Sequence, residues 1–85
     1  MAGIASTSAG KSIRIYPNPT SGVVYIDAKV KVKVVLRDVT GKAVIEASEV
    51  KEIDLGDVAN GTYLLYISDM EGRLLRAEKV TKTNN

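Results

Sequence analysis

The sequence predicts an all-β fold, a sandwich of two sheets made from about seven short strands. Three observations predict it. Eleven Val and six of the seven Ile lie between residues 13 and 80, and β-branched side chains suit a pleated, half-buried surface. Apolar and polar residues alternate with a period of two, most clearly Val30, Val32, Val34 and Leu36 against Lys31, Lys33 and Arg37. Turn-forming clusters interrupt the chain often enough to leave strand-length segments between them.

Ile13 to Tyr16 is the first strand, stopped by Pro17-Asn18-Pro19 because two prolines lack ladder donors and restrict the residues before them. Thr20-Ser21-Gly22 completes the turn. Val23 to Ala28 places Val24, Ile26 and Ala28 on one face and Tyr25 and Asp27 on the other. Val30 to Asp38 follows, with one buried face. Asp38-Val39-Thr40-Gly41 has an acceptor at the first turn position and Gly at the fourth, a hairpin pattern that returns through Ala43 to Ser48.

Lys51 to Leu55 is a shorter strand with Ile53 and Leu55 inward, and residues 56–61 form a connection rich in turn residues. Thr62 to Ser68 places Tyr63, Leu65 and Ile67 on one face and Leu64 and Tyr66 on the other. Asp69-Met70-Glu71-Gly72 repeats the Asp-x-x-Gly hairpin, and Arg73 to Lys82 closes the domain. Leu74, Leu75, Ala77 and Val80 also fit a helical stripe. The tight turn directly after a strong strand favours a hairpin partner, so the segment is read as a strand. The expected core is Ile15, Val24, Ile26, Val32, Val34, Leu36, Ile45, Ile53, Leu55, Tyr63, Leu65 and Ile67. Met1 to Ser12, small and polar apart from Ile4, is read as a linker or leader outside the fold.

Composition excludes much of chemistry. A chain of 85 residues makes one small domain without bulk for a deep cleft. Cys and His are both absent, which removes disulfides, thiolate nucleophiles, the usual zinc ligands and the commonest general base. The expectation is a non-enzyme with no cofactor and no metal. A net charge of +2 is too small to imply nucleic acid or a membrane surface. No apolar run is long enough for direct membrane insertion, and the first twelve residues lack the apolar stretch of an N-terminal export signal.

Candidate motifs are weighed against plainer readings. Gly10-Lys11-Ser12 suggests a phosphate loop, but position 5 is Ala where the motif needs Gly, and no strand precedes it. Asn60-Gly61-Thr62 fits a glycosylation acceptor and fits a turn better. Asp27, Glu46, Glu49, Glu52, Asp54 and Asp57 read as solvated faces and turn caps. Lys29, Lys31, Lys33 and Arg37 are read as keeping an edge strand soluble. Tyr25 and Tyr66, both outward, could stack on a sugar ring, though two tyrosines without Trp carry little weight. The charge distribution says more. Arg73, Arg76, Lys79 and Lys82 face only Glu78 in the last segment, an excess that a surface strand does not need.

Four strings extend the reading: Ile15-Tyr16-Pro17-Asn18-Pro19-Thr20-Ser21-Gly22; Arg37-Asp38-Val39-Thr40-Gly41-Lys42; Ile53-Asp54-Leu55 leading to Ala59-Asn60-Gly61-Thr62-Tyr63-Leu64; and a basic last strand through Lys79 and Lys82. In this order and spacing they resemble the type A C-terminal sorting domain of the bacterial type IX (Por) secretion system, from about Ile13 to Lys82. The resemblance implies a seven-stranded immunoglobulin-like β-sandwich over residues 13–85. It implies a non-catalytic domain that follows a covalently attached N-terminal cargo. The cargo passes from the periplasm through the outer-membrane translocon of a Bacteroidetes-type bacterium to the cell surface or beyond, where a sortase-like peptidase removes the domain.

The family's motif positions fall on Pro17, Pro19, Asp38, Gly41, Gly61 and Tyr63, which are expected to be structural. Arg73, Arg76, Lys79 and Lys82 are the expected partner-binding residues. The competing reading is a fibronectin-like accessory or carbohydrate-binding module of a secreted enzyme or adhesin.

Overall fold

The computed structural model describes residues 13–83; the expected leader Met1 to Ser12 and the terminal Asn84 and Asn85 lie outside the described residues. Seven strands and no helix occupy the described residues: β1 Arg14–Tyr16, β2 Val23–Asp27, β3 Val32–Arg37, β4 Ala43–Ser48, β5 Glu52–Asp54, β6 Gly61–Asp69 and β7 Leu74–Lys82. They form two antiparallel sheets, one ordered β1-β2-β5 and the other β4-β3-β6-β7. The last segment is therefore the strand that the preceding turn implies. Its nine residues pair with β6 from Gly61 opposite Lys82 to Ser68 opposite Leu74, through a register shift at Ile67 and Ser68.

The sheets enclose a core of Ile13, Val24, Ile26, Val32, Val34, Leu36, Ile53, Leu55, Tyr63, Leu65, Ile67 and Val80. Ten of the twelve expected core residues are there. Ile15 and Ile45 pack against the core only partly buried, on the short strand β1 and the edge strand β4. Ile13 and Val80 take their places. Val30 corrects the expected alternation: β3 begins at Val32, and Val30 lies in the preceding turn, 47% exposed. A second correction concerns the basic residues of this segment. β3 pairs with both β4 and β6, so it is a central strand. Lys33 and Arg37 cover its outer face while Lys29 and Lys31 belong to the turn before it, and none of them guards an edge.

The two Asp-x-x-Gly turns are built alike. The Gly41 N–H bonds to the Asp38 carbonyl at 2.9 Å and the Gly72 N–H to the Asp69 carbonyl at 3.0 Å, with φ of +91° and +92° at the glycines. Those positive angles are readily reached only without a Cβ. In each turn the Asp carboxylate accepts backbone N–H groups two and four residues on: Thr40 and Lys42 for Asp38, Glu71 and Arg73 for Asp69.

The register sorts the connections between two ends of the sandwich. Ile13, the β2–β3 turn, the β4–β5 turn and the Asp69 hairpin lie at the end where β1 begins. Residues 17–22, 38–42 and 55–60 and the C-terminal end of β7 lie at the opposite end.

Candidate functional site

The strings that are scattered along the sequence meet at that second end. Pro17-Asn18-Pro19 crosses from the first sheet to the edge of β7, with both X–Pro bonds cis. Pro19 exposes no donor to the ladder, and the next residue, Thr20, makes a parallel bridge to Lys82. Its N–H donates to the Thr81 carbonyl at 2.9 Å and its carbonyl accepts from the Thr83 N–H at 2.9 Å. Asn18 extends this stitching with its side chain, donating Nδ2 to the Lys79 carbonyl at 2.7 Å and accepting the Thr81 N–H at 3.1 Å. Thr20 is 2% exposed, and its hydroxyl donates to the Val23 carbonyl at 2.8 Å while accepting the Gly22 N–H at 3.1 Å. Sequence reading treats Thr20 only as part of a turn. The signal it overlooks is a β-branched hydroxyl directly after a proline at a sheet edge, where unpaired backbone groups need partners.

The third string closes over the same end. The Leu55 N–H reaches the Gly22 carbonyl at 2.9 Å. The Tyr63 ring enters the core, 7% exposed, and its hydroxyl donates back to the Ala59 carbonyl at 2.5 Å. Gly61 between them has φ of +152°. Asp54 caps the following turn by accepting the Gly56 N–H at 2.8 Å.

The four C-terminal cations occupy different environments. Arg73 lies at the other end of the domain, exposed, paired with Asp69 at 2.9 Å and Glu71 at 3.3 Å. Arg76 pairs with Glu78 at 2.9 Å on the flank of β7. Lys79 is exposed on the outer face, and its ammonium has no ion pair or hydrogen bond among the described residues. Lys82 corrects the expectation of a surface cation without structural duty. It is 3% exposed, and Nζ donates to the carbonyls of Val58 at 2.7 Å and Gly56 at 3.3 Å. Buried ammonium groups are costly unless so engaged, and these bonds fix the β5–β6 connection to the last strand. Strand parity could have revealed this, since Lys82 shares its face with Val80, two residues away.

Hydrogen bonds set the charge state of the turns. The Thr40 hydroxyl, above all, and the N–H groups of Lys42 and Thr40 hold the Asp38 carboxyl below its ordinary pKa of 3.8. The Arg73 N–H, the Glu71 N–H and the Arg73 side chain do the same for Asp69. Both remain carboxylates at neutral pH.

Tyr25 and Tyr66 do not form a shared platform. Tyr25 stacks on Tyr16, with centroids 5.6 Å apart and planes at 28°. Tyr66 lies on the other sheet beneath the Arg37 guanidinium, 5.9 Å from its ring centre. No group of three or more Asp or Glu among the described residues is placed to hold a metal, and no helix there is long and apolar enough to cross a membrane.

A comparison with curated proteins found no match. A family model described as the secretion system C-terminal sorting domain matches residues 14–82, which include every string that meets at this end. The chain thus belongs to the C-terminal sorting domains of the type IX secretion system, the signals attached to cargo for export by that machinery.

Proposed function

We propose that the end of the sandwich where the four strings meet is the surface that the export machinery reads. The observation that carries this is their convergence: residues 17–22, 38–42, 55–63 and 79–83 are joined by hydrogen bonds or a common hollow at one end. Ile13, to which a preceding cargo would be attached, lies at the other. The two ends are opposite along the strands, so a cargo joined on the Ile13 side is attached away from the reading end. Membership of a family of sorting signals, generally non-catalytic, implies export toward the cell surface or the extracellular space. In the fuller proposal the translocon of the outer membrane receives the folded domain after periplasmic transit, and a sortase-like peptidase then cuts on its N-terminal side. Lys79 is the docking cation of this proposal. Lys82 serves the fold that presents it.

The same proposal takes the sandwich as immunoglobulin-like. Strands β1 to β7 correspond to A, B, C, C′, E, F and G, with A-B-E in one sheet and C′-C-F-G in the other. The hydroxyl of Tyr63 near the start of β6, bonded to a carbonyl four residues upstream, supports this as the tyrosine corner of such folds.

Residues 13–85 fused to a secreted reporter, in a bacterium that has this pathway, provide the test. Delivery of the reporter to the surface or medium, with loss of the domain's mass, is expected. Retention in the periplasm would overturn the proposal. The accessory-module reading requires binding in a polysaccharide pull-down, and Tyr25 and Tyr66, the rings it would use, lie on different sheets.

A further inference from the structure

Leu64 is 39% exposed on the outer face of the larger sheet, and its cross-strand neighbours are Arg37 on one side and Lys79 on the other. One exposed leucine is ordinary on a protein surface, and what distinguishes this one is that it lines a hollow together with a second exposed aliphatic residue. Above it stands Val39, 80% exposed at the tip of the Asp38 turn. Asp38, Val39, Thr62, Tyr63, Leu64 and Lys79 together line an open hollow of about 240 Å³.

The charges around this hollow are unequal in availability. The Asp38 carboxylate is occupied by the Thr40 hydroxyl and by the N–H groups of Thr40 and Lys42. Arg37 is held over Tyr66 and donates to the Gly41 carbonyl at 2.9 Å, keeping its charge beside Leu64. Lys79 keeps its ammonium unengaged while Asn18 fixes its backbone. Lys42 adds a further positive charge close to Asp38. The local balance is positive, and at the rim of the apolar floor the Lys79 ammonium has no ion pair or hydrogen bond among the described residues.

We infer that the Val39–Leu64 hollow with Lys79 is a docking site for an acidic segment of a protein partner, one aliphatic side chain entering the hollow and a neighbouring carboxylate pairing with Lys79. The inference rests on the proposal that this end of the domain is read during export, and it gives that reading a chemistry. Charge complementarity selects the acidic partner, because a desolvated ammonium beside apolar contacts rewards a carboxylate and penalises another cation. The apolar contact supplies the affinity that an exposed ion pair lacks.

The test uses the reporter fusion with Val39→Asp, Lys79→Met and Lys79→Arg. Both sites are exposed and outside the core, and melting temperatures of the purified domains verify that folding is intact. Val39→Asp places a like charge before the partner's carboxylate. Lys79→Met removes the charge and keeps the stem. Each should reduce delivery about ten-fold or more, the effect of losing one central contact of an interface. Lys79→Arg should retain most of it. Parental delivery by Val39→Asp would overturn the docking site while leaving the sorting function intact. Failure of the unmutated fusion would instead remove the sorting proposal itself. Delivery by Lys79→Met with loss in Val39→Asp would refute the acidic partner and point to a neutral ligand such as a glycan.

Discussion

The carboxamide of Asn18 holds the backbone of Lys79, 61 residues away, through a 2.7 Å bond from Nδ2 to its carbonyl. The same side chain accepts the Thr81 N–H at 3.1 Å. The residue between the two prolines thus acts as a substitute strand for the free edge of β7, where the prolines themselves have no N–H to donate.

Asn18→Ala should therefore weaken the domain by about 1 kcal/mol, the usual net worth of exposed side-chain to backbone bonds. Faster amide exchange at Thr81 than at Leu65 in the variant would mark the edge as the site of loss. Unchanged exchange at Thr81 would mean that Thr20 alone secures the strand.

Lys82→Met should cost about 1 to 3 kcal/mol, because two carbonyls lose their donor inside the domain. Lys79→Gln should melt within about 0.5 kcal/mol of the parent, as exposed substitutions generally do. Thermal melts of the two single variants separate the structural lysine from the exposed one. Equal stability of both variants would contradict the buried geometry of Lys82.

Acid should loosen the two hairpin turns together. The Asp38 and Asp69 carboxyls have folded-state pKa values below 3.8, held there chiefly by the Thr40 hydroxyl and the Arg73 N–H respectively. A depressed carboxyl contributes stability that is present above the unfolded-state value of about 3.9 and lost as pH falls through the lower folded value. Carboxyl chemical shifts followed from pH 5 to pH 2 should give midpoints below 3.8 for both residues, with the Thr40 and Glu71 amides changing in step. A midpoint at or above 3.8 would show that the turn bonds do not favour the ionised form.

Gly61→Val should destabilise by about 1 to 3 kcal/mol through backbone strain. The space around Gly61 is open, with no atom within 4 Å of an added Cβ, so its φ of +152° is the only objection to a side chain. Gly22→Val, where the space is equally open and the backbone lies outside the left-handed region, is the control. Denaturant melts that place both variants at parental stability would assign the glycine to partner recognition.

Strand existence and order were legible because side-chain period and turn chemistry are local. The alternation through Val32, Val34 and Leu36 and the Asp-x-x-Gly turns each depend on a few adjacent residues. Long-range pairing was not legible in the same way. Nothing near Lys33 tells that β3 has a strand on each side, and nothing near Lys82 names Gly56 and Val58 as its acceptors. Composition identified the cationic excess of the last segment, but charge counts do not distinguish Lys79, whose ammonium has no partner among the described residues, from Arg73, which has two. Val30 failed for a simpler reason: alternation continues into a turn where the backbone no longer follows the pleat.

The parallel bridge between Thr20 and Lys82 joins an early segment to one of the last described residues. A ribosome that stalls before residue 79 releases a chain lacking the contacts that β7 provides to Asn18, Thr20, Gly56 and Val58. Such a chain carries three of the four strings in its sequence and cannot assemble the surface they form. If that surface is the one read during export, the address forms only once the chain has been made as far as Lys82, and the fold itself serves as a receipt for synthesis through β7.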